Sequence, residues 1–326
     1  MKAKKLLPVL ALTLAATTFA ACGDKSVTFG HYWFKDSLTK EANFFEQAEY
    51  IVTSKPSESG YSNYKVDYTG NFTTTLEYSA TENIYTFATK LEVTAIFALG
   101  ETTKELKDTA TAWVKFDGEG NALRPLSSYK KMLCHTPLNG TFESVETCYA
   151  TVDYEYSADY EKNELKGNCK ITNNRNEEID MDLSNTFDFL KNYTFIDNEQ
   201  ILIAVRGFAA DTVSATVSTY SAFAESMQKV KFSFTDADEN ASETFNYTLI
   251  SADGTENTAT KNVLCRTAKI SLDQKNPGAT QIVKFAKAKN ASDNDYRNLI
   301  LQITTPLAYN MGEIYYTLKT VSYKKA

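Results

Sequence analysis

The sequence predicts an all-β protein: a large, long-stranded, mostly antiparallel curved sheet, shaped as a half-barrel or a sandwich, with a small helical insert near the middle. Three observations carry this. Apolar and polar residues alternate with period two over long runs, the mark of strands with one buried face. Asp-Gly pairs, Asp117-Gly118 and Asp253-Gly254, stand between such runs and supply the positive φ angles of tight hairpins. Only one stretch carries both a start and a stop for a helix. With 43% hydrophobic and 13% aromatic residues in 326, the chain has the means to bury a sizeable core.

The first segment reads as an export signal. Lys2, Lys4 and Lys5 precede an apolar stretch from Leu6 to Ala16, and small residues follow at Ala20-Ala21-Cys22. The apolar part is short of the ~20 residues that span a bilayer. Phe19-Ala20-Ala21-Cys22 resembles the lipobox of bacterial lipoproteins, with Phe19 where the family usually has leucine. The resemblance implies that residues 1–21 are a signal peptide and that the Cys22 thiol is lipidated. It also implies attachment to the cell membrane, facing outside the cytoplasm, with the outer membrane a further destination in a Gram-negative host. Residues 22–35 form the lipidated tether and residues 36–326 the β-rich body, divisible into two halves near 185–207. Two or more acyl chains anchor stably where one does not.

Cleavage before Cys22 removes three lysines and no acid, leaving 31 basic and 41 acidic residues, a charge of −10. Such a balance speaks against nucleic acid as a partner. The expected partners are the membrane, through the anchor, and a lipid or glycan ligand.

Within the body, "SLTKEANFFEQAEYIV" (37–52) is ambiguous between helix and strand. Tyr64, Val66 and Tyr68, then Phe72, Thr74, Leu76 and Tyr78, alternate cleanly. From Tyr85 to Leu99 every odd position fits one face, while Lys90, Glu92 and Thr94 fall on the other. A strand of that length runs about 50 Å, which calls for a broad, bent sheet. Ala110, Ala112, Val114 and Phe116 continue the pattern, as do Cys148 to Tyr156 and Ile179 to Leu183. A helical turn is expected in "SNTFDFLKN" (184–192). The helix proper is expected in "IDNEQILIAVRGF": Asp197 as N-cap, Gln200 three positions on, an apolar stretch, then Arg206 and Gly207 as the stop.

Strand-like runs follow, "VKFSF", "FNYTLI", "VLCRTAKISL", "TQIVKFAKA", "NLILQIT" and "GEIYYTLKTVSY". The absence of βα alternation disfavours the two-lobed architecture of solute receptors. The last three runs resemble the closing strands of envelope half-barrel proteins, the class of lipoprotein carriers. That resemblance implies a concave face able to receive an acyl chain or another apolar group.

Chemistry-bearing motifs are sparse, and the chain reads as a binding protein rather than an enzyme, with no cofactor and no metal. Cys134 and Cys148 flank "HTPLNGTFESVET" on neighbouring strands and are the candidate disulfide. Cys169 and Cys265 are either a second bridge or free thiols. The two histidines, His31 and His135, do not sit in a triad pattern, and no G-x-S-x-G turn accompanies them. Asp236, Asp238 and Asn240 begin a calcium-loop pattern that then fails, with Ala241 in place of the glycine and Tyr247 in place of the glutamate. Glu178, Asp180 and Asp182 share one strand face. Tyr154 and Tyr156 also share a face, either as a stacking surface for sugars or as ordinary half-buried sheet residues. A glycan- or protein-recognising surface protein is the alternative function, and a carboxylate hydrolase the third.

Overall fold

Period-two alternation of branched and aromatic residues becomes strand almost everywhere it occurs. The computed structural model describes residues 29, 44–57, 64–118, 123–160, 164–172, 178–182, 184–190, 193–209, 211–221, 225–236, 242–272, 280–287 and 298–325. The first half holds β1 (Phe45–Pro56), β2 (Tyr64–Ser79), β3 (Ile84–Leu99), β4 (Thr102–Asp117), β5 (Pro125–Pro137), β6 (Tyr149–Asp159), β7 (Glu164–Thr172), β8 (Glu178–Asp182) and β9 (Asn185–Thr186). The helical insert contains α1 (Ile201–Gly207). The second half holds β10 (Ser214–Ser221), β11 (Ser226–Asp236), β12 (Ser242–Ile250), β13 (Glu256–Leu272), β14 (Gln281–Ala286), β15 (Ile300–Pro306) and β16 (Gly312–Ser322).

The strands form one sheet in the order β10-β11-β13-β14-β15-β16-β1-β2-β3-β4-β5-β6-β7-β8, and the halves join where β1 pairs antiparallel with β16. The first half is an up-and-down meander whose β2–β3 and β3–β4 ladders are unbroken from end to end. In the second half β12 pairs antiparallel with β13 and parallel with β16, so β12, β13, β14, β15 and β16 close a small barrel. The expected all-β curved sheet with a central helical insert is thus the fold. The Asp253-Gly254 pair turns the β12–β13 hairpin: Gly254 has φ +87°, and the Asp253 side chain accepts from the Thr255 amide at 2.9 Å.

One local expectation changes and one open alternative is decided. Residues 185–186 do not begin a helical turn but form β9, a two-residue strand against Glu164 and Leu165 of β7; the paired edge supplies backbone partners that an isolated turn lacks. The ambiguous 37–52 stretch resolves into strand from Phe45, whose ladders to β2 and β16 satisfy the backbone on both sides.

The helix signals hold. The Asp197 side chain accepts from the Glu199 amide at 2.6 Å, and Gln200 returns a bond to the Asp197 amide at 2.8 Å, a reciprocal capping box opening a short 3-10 turn that runs into α1. The insert packs on the inner side of the sheet, with Ile196, Ile201, Ile203, Ala204, Val205 and Phe208 buried in the largest apolar cluster. Arg206 forks onto Glu46 of β1, with one of its two bonds at 3.0 Å, and both side chains are buried. Phe29 also enters this cluster, its ring 4.8 Å from that of Phe208. No helix among the described residues is long and apolar enough to cross a membrane.

Candidate functional site

Two buried apolar clusters occupy opposite ends of the inner face, and a seam lies between them, bordered on one side by a third cluster around Met132, Cys134 and Tyr154. One end is closed by the insert together with Tyr50, Leu76, Tyr85, Phe87, Val114 and Phe116. The other is closed by Val66, Tyr68, Ala95, Phe97, Cys148 and Tyr149. Between them the inner-facing residues Phe72, Leu91 and Ala110 are only half-buried. Their order is dictated by register: Phe72 opposes Leu91, Leu91 opposes Ala110, Ala110 opposes Met132 and Met132 opposes Tyr154, one row across β2 to β6. Tyr316 of β16 leans over the row, its ring 5.3 Å from Phe72. At Gly70 on the same face a Cβ would lie 2.2 Å from the Glu92 carbonyl oxygen, so no side chain fits there between β2 and β3.

The seam holds a cavity of about 50 Å³, bordered by Leu91, Val93, Asp108, Met132, Cys134 and Tyr316 among others. That is the space of one or two waters, against the 300–1,000 Å³ usual for a ligand pocket. The deep apolar cavity expected of a half-barrel is not formed among the described residues, because the insert fills one part of the inner face and aromatic side chains fill another.

A charge sits where the pattern calls for an apolar group. Asp108, 2% exposed, borders the seam. Its carboxylate accepts from the His135 amide at 3.1 Å and meets His135 Nδ1 at 2.6 Å. The β4–β5 ladder stops at Thr109↔Leu133, so the Asp108 side chain serves a backbone amide just beyond the last ladder pair. Burial pushes the Asp108 carboxyl above its ordinary 3.8, against the lowering effect of the His135 bonds. Tyr68 donates its hydroxyl to the His135 carbonyl at 3.0 Å, completing the packing around the pair. Burial, then Cys134 and Asp108, push the Tyr316 phenol up to about 12.

The predicted cysteine bridge is corrected. Cys134, Cys148 and Cys265 are free, buried thiols. Cys134 pairs with Val152, whereas Cys148 lies level with Leu138, whose amide it accepts at 2.9 Å. Four residues of strand, about 13 Å, separate the two positions, beyond the ~7 Å Cα limit of a disulfide. Burial pushes the Cys134 thiol up, and Cys265 up to about 11, so neither presents a thiolate near neutrality. Cys169 lies on β7 opposite Tyr154 and Met181. Cys22, His31, Asp238 and Asn240 lie outside the described residues. Tyr154 and Tyr156 are buried, their rings parallel at 7° and 5.9 Å apart, so they are inner-face residues and not an exposed platform.

Asp108 escaped the sequence reading, although its signal was present. Ala110, Ala112, Val114 and Phe116 mark one face of the strand, and two steps back the same face carries an aspartate.

A scan against protein-family models found no match, and a search of curated proteins found none. Among solved structures, the chain is similar to the crystal structure of a β-barrel-like protein of domain of unknown function DUF1849 from Brucella abortus, at 12% identity and a TM-score of 0.45. The alignment covers 87% of this chain and 99% of that one.

Proposed function

We propose that this chain is a lipid-anchored protein of the cell envelope, exported by residues 1–21 and tethered through Cys22, that binds an apolar or lipid-like ligand at the seam of its curved sheet. The observation that carries the binding reading is Asp108. A carboxylate taken out of water beside an apolar, half-open row costs stability, and proteins retain such costs where a site needs them. A carboxylate offers about four acceptor positions; His135 takes two, leaving the group able to hold a hydroxyl or amine at the head of an apolar chain. Nucleophilic chemistry at Cys134 is a poorer reading, because burial works against formation of its thiolate.

The seam as it stands holds a fraction of a ligand, so binding proceeds by movement of Leu91, Met132 and Tyr316, of which Met132 is the most adaptable. The test is titration of the full chain with a fluorescent fatty acid. A saturable rise in emission, weakened at least tenfold in Ala110→Phe, which fills the row, supports the reading. An equal response from wild type and variant contradicts it. The N-terminal part is tested separately: radiolabelled palmitate enters the wild-type product and is lost in Cys22→Ala.

A further inference from the structure

The opposite face of the sheet carries a larger, preformed concavity of about 530 Å³, bordered by Tyr129, Lys131, Asp153, Glu155, Ser157 and Lys166, with Tyr154, Tyr156 and Gly167 also on its border. Its volume falls within the range of ligand pockets, roughly ten times that of the seam. Register again sets the order. Trp113 of β4 opposes Tyr129 of β5, Tyr129 opposes Ser157 of β6, and Ser157 opposes Lys166 of β7, a straight outer row of two aromatics, a hydroxyl and an ammonium. At 4.8 Å between strands the row is about 14 Å wide. The Trp113 and Tyr129 rings are near-parallel, 19° apart with centroids at 6.1 Å, and both are half-buried.

We infer that this outer groove is a carbohydrate-binding site for an uncharged oligosaccharide, with Tyr129 on its border and Trp113, next to Tyr129 on the neighbouring strand, as the stacking platform. Sugar rings present apolar C–H faces that pack on aromatic faces, while their hydroxyls need both donors and acceptors at the edge. The groove provides both. Lys131 and Lys166 donate, Asp153 and Glu155 accept, and Ser157 does either. Two cations face two anions on the border, with Glu164 paired to Lys166 as a third, so no positive field selects a polyanion. Pairing keeps the two lysines oriented: Lys131 lies 3.7 Å from Glu155 and Lys166 2.7 Å from Glu164. The groove's polar side chains and Tyr129 stand on the other face of the strands that carry the seam.

The chain has two tryptophans, Trp33 and Trp113, so Trp33→Phe makes Trp113 the sole reporter. The full chain with that substitution is titrated with hexamers of β-linked glucose, of N-acetylglucosamine and of mannose, following tryptophan emission. The expected result is a saturable shift with at least one hexamer, weakened tenfold or more in Tyr129→Ala and unchanged in the seam-filling Ala110→Phe. Circular dichroism of Tyr129→Ala matching the parent excludes unfolding as the cause. No saturable shift with any hexamer, an equal shift in Tyr129→Ala, or a stronger, salt-sensitive response to a sulfated polysaccharide would overturn the assignment.

Discussion

At the scale of single residues the fold departs from its own pattern at Asp108, a carboxyl 2% exposed on an otherwise apolar face. Replacing His135 by Phe removes the imidazole partner and leaves one amide bond to a buried carboxylate. Loss of one partner from such a group costs about 1–3 kcal/mol, so the urea midpoint of His135→Phe should fall while its m-value stays constant. The pH dependence has a definite sign. Burial raises Asp108, and burial with Glu199 nearby raises Asp197, both above the ordinary 3.8. A carboxyl with a raised folded-state pKa binds its proton more tightly when folded. Its favourable contribution is therefore complete below the unfolded value and is lost as pH rises through the raised folded one. Urea midpoints of Asp108→Asn measured between about pH 4 and pH 7 should decline less with rising pH than those of the parent; an identical slope would remove Asp108 from the account. Asp108, His135 and Cys134 were legible as residue types in the sequence, but their meeting was not. It depends on where the β4–β5 ladder stops, and alternation is silent on register.

At the scale of elements, the insert is fixed by polar contacts at each end and by apolar packing between. Its N-terminal end rests on Asp197, which takes a bond from Ser128 at 2.6 Å and another from Tyr160, while Glu199 meets Lys130 of β5 at 2.9 Å and accepts from Tyr156 at 3.0 Å. Burial works against the Lys130 charge, yet the Glu199 carboxylate holds its pKa above the ordinary lysine range. Its C-terminal end rests on the buried Arg206–Glu46 pair. Removing one member of a buried ion pair costs about 3–5 kcal/mol, whereas replacing both by apolar groups of similar volume is close to neutral. Arg206→Met alone should therefore lower the unfolding free energy by about that amount, and Arg206→Met with Glu46→Leu should recover most of it; chemical denaturation of the three proteins checks both statements. This element was readable in advance, because a capping box and an Arg-Gly stop are local chemistry, set within a few residues. The 184–192 turn was misread because the edge of β7, twenty residues earlier in the chain, claims Asn185 and Thr186.

At the scale of the whole molecule, one sheet serves two surfaces. Its inner side is filled by the insert and by aromatic clusters except along the seam, and its outer side carries the groove on β5 to β7. Strand content and curvature followed from the period and length of runs such as Tyr85–Leu99. The closure of the small barrel did not, because the parallel contact of β12 with β16 joins residues about seventy positions apart by only three register pairs. The buried position of Phe29 has a consequence for the proposed anchor. Phe29 lies seven positions after Cys22, and seven residues reach at most ~25 Å, so a lipidated Cys22 holds the body close to the bilayer. A distance measurement from a fluorophore on the body to labelled lipid should place the Phe29 end of the core nearest the membrane.

The claim on which the functional account turns is that the inner seam accepts an apolar chain. Native mass spectrometry of protein extracted mildly from envelopes tests it directly. The account predicts a fraction of molecules carrying a lipid mass beyond that of the anchor itself, reduced severalfold in Ala110→Phe. Anchor mass alone, in wild type and variant alike, would contradict it.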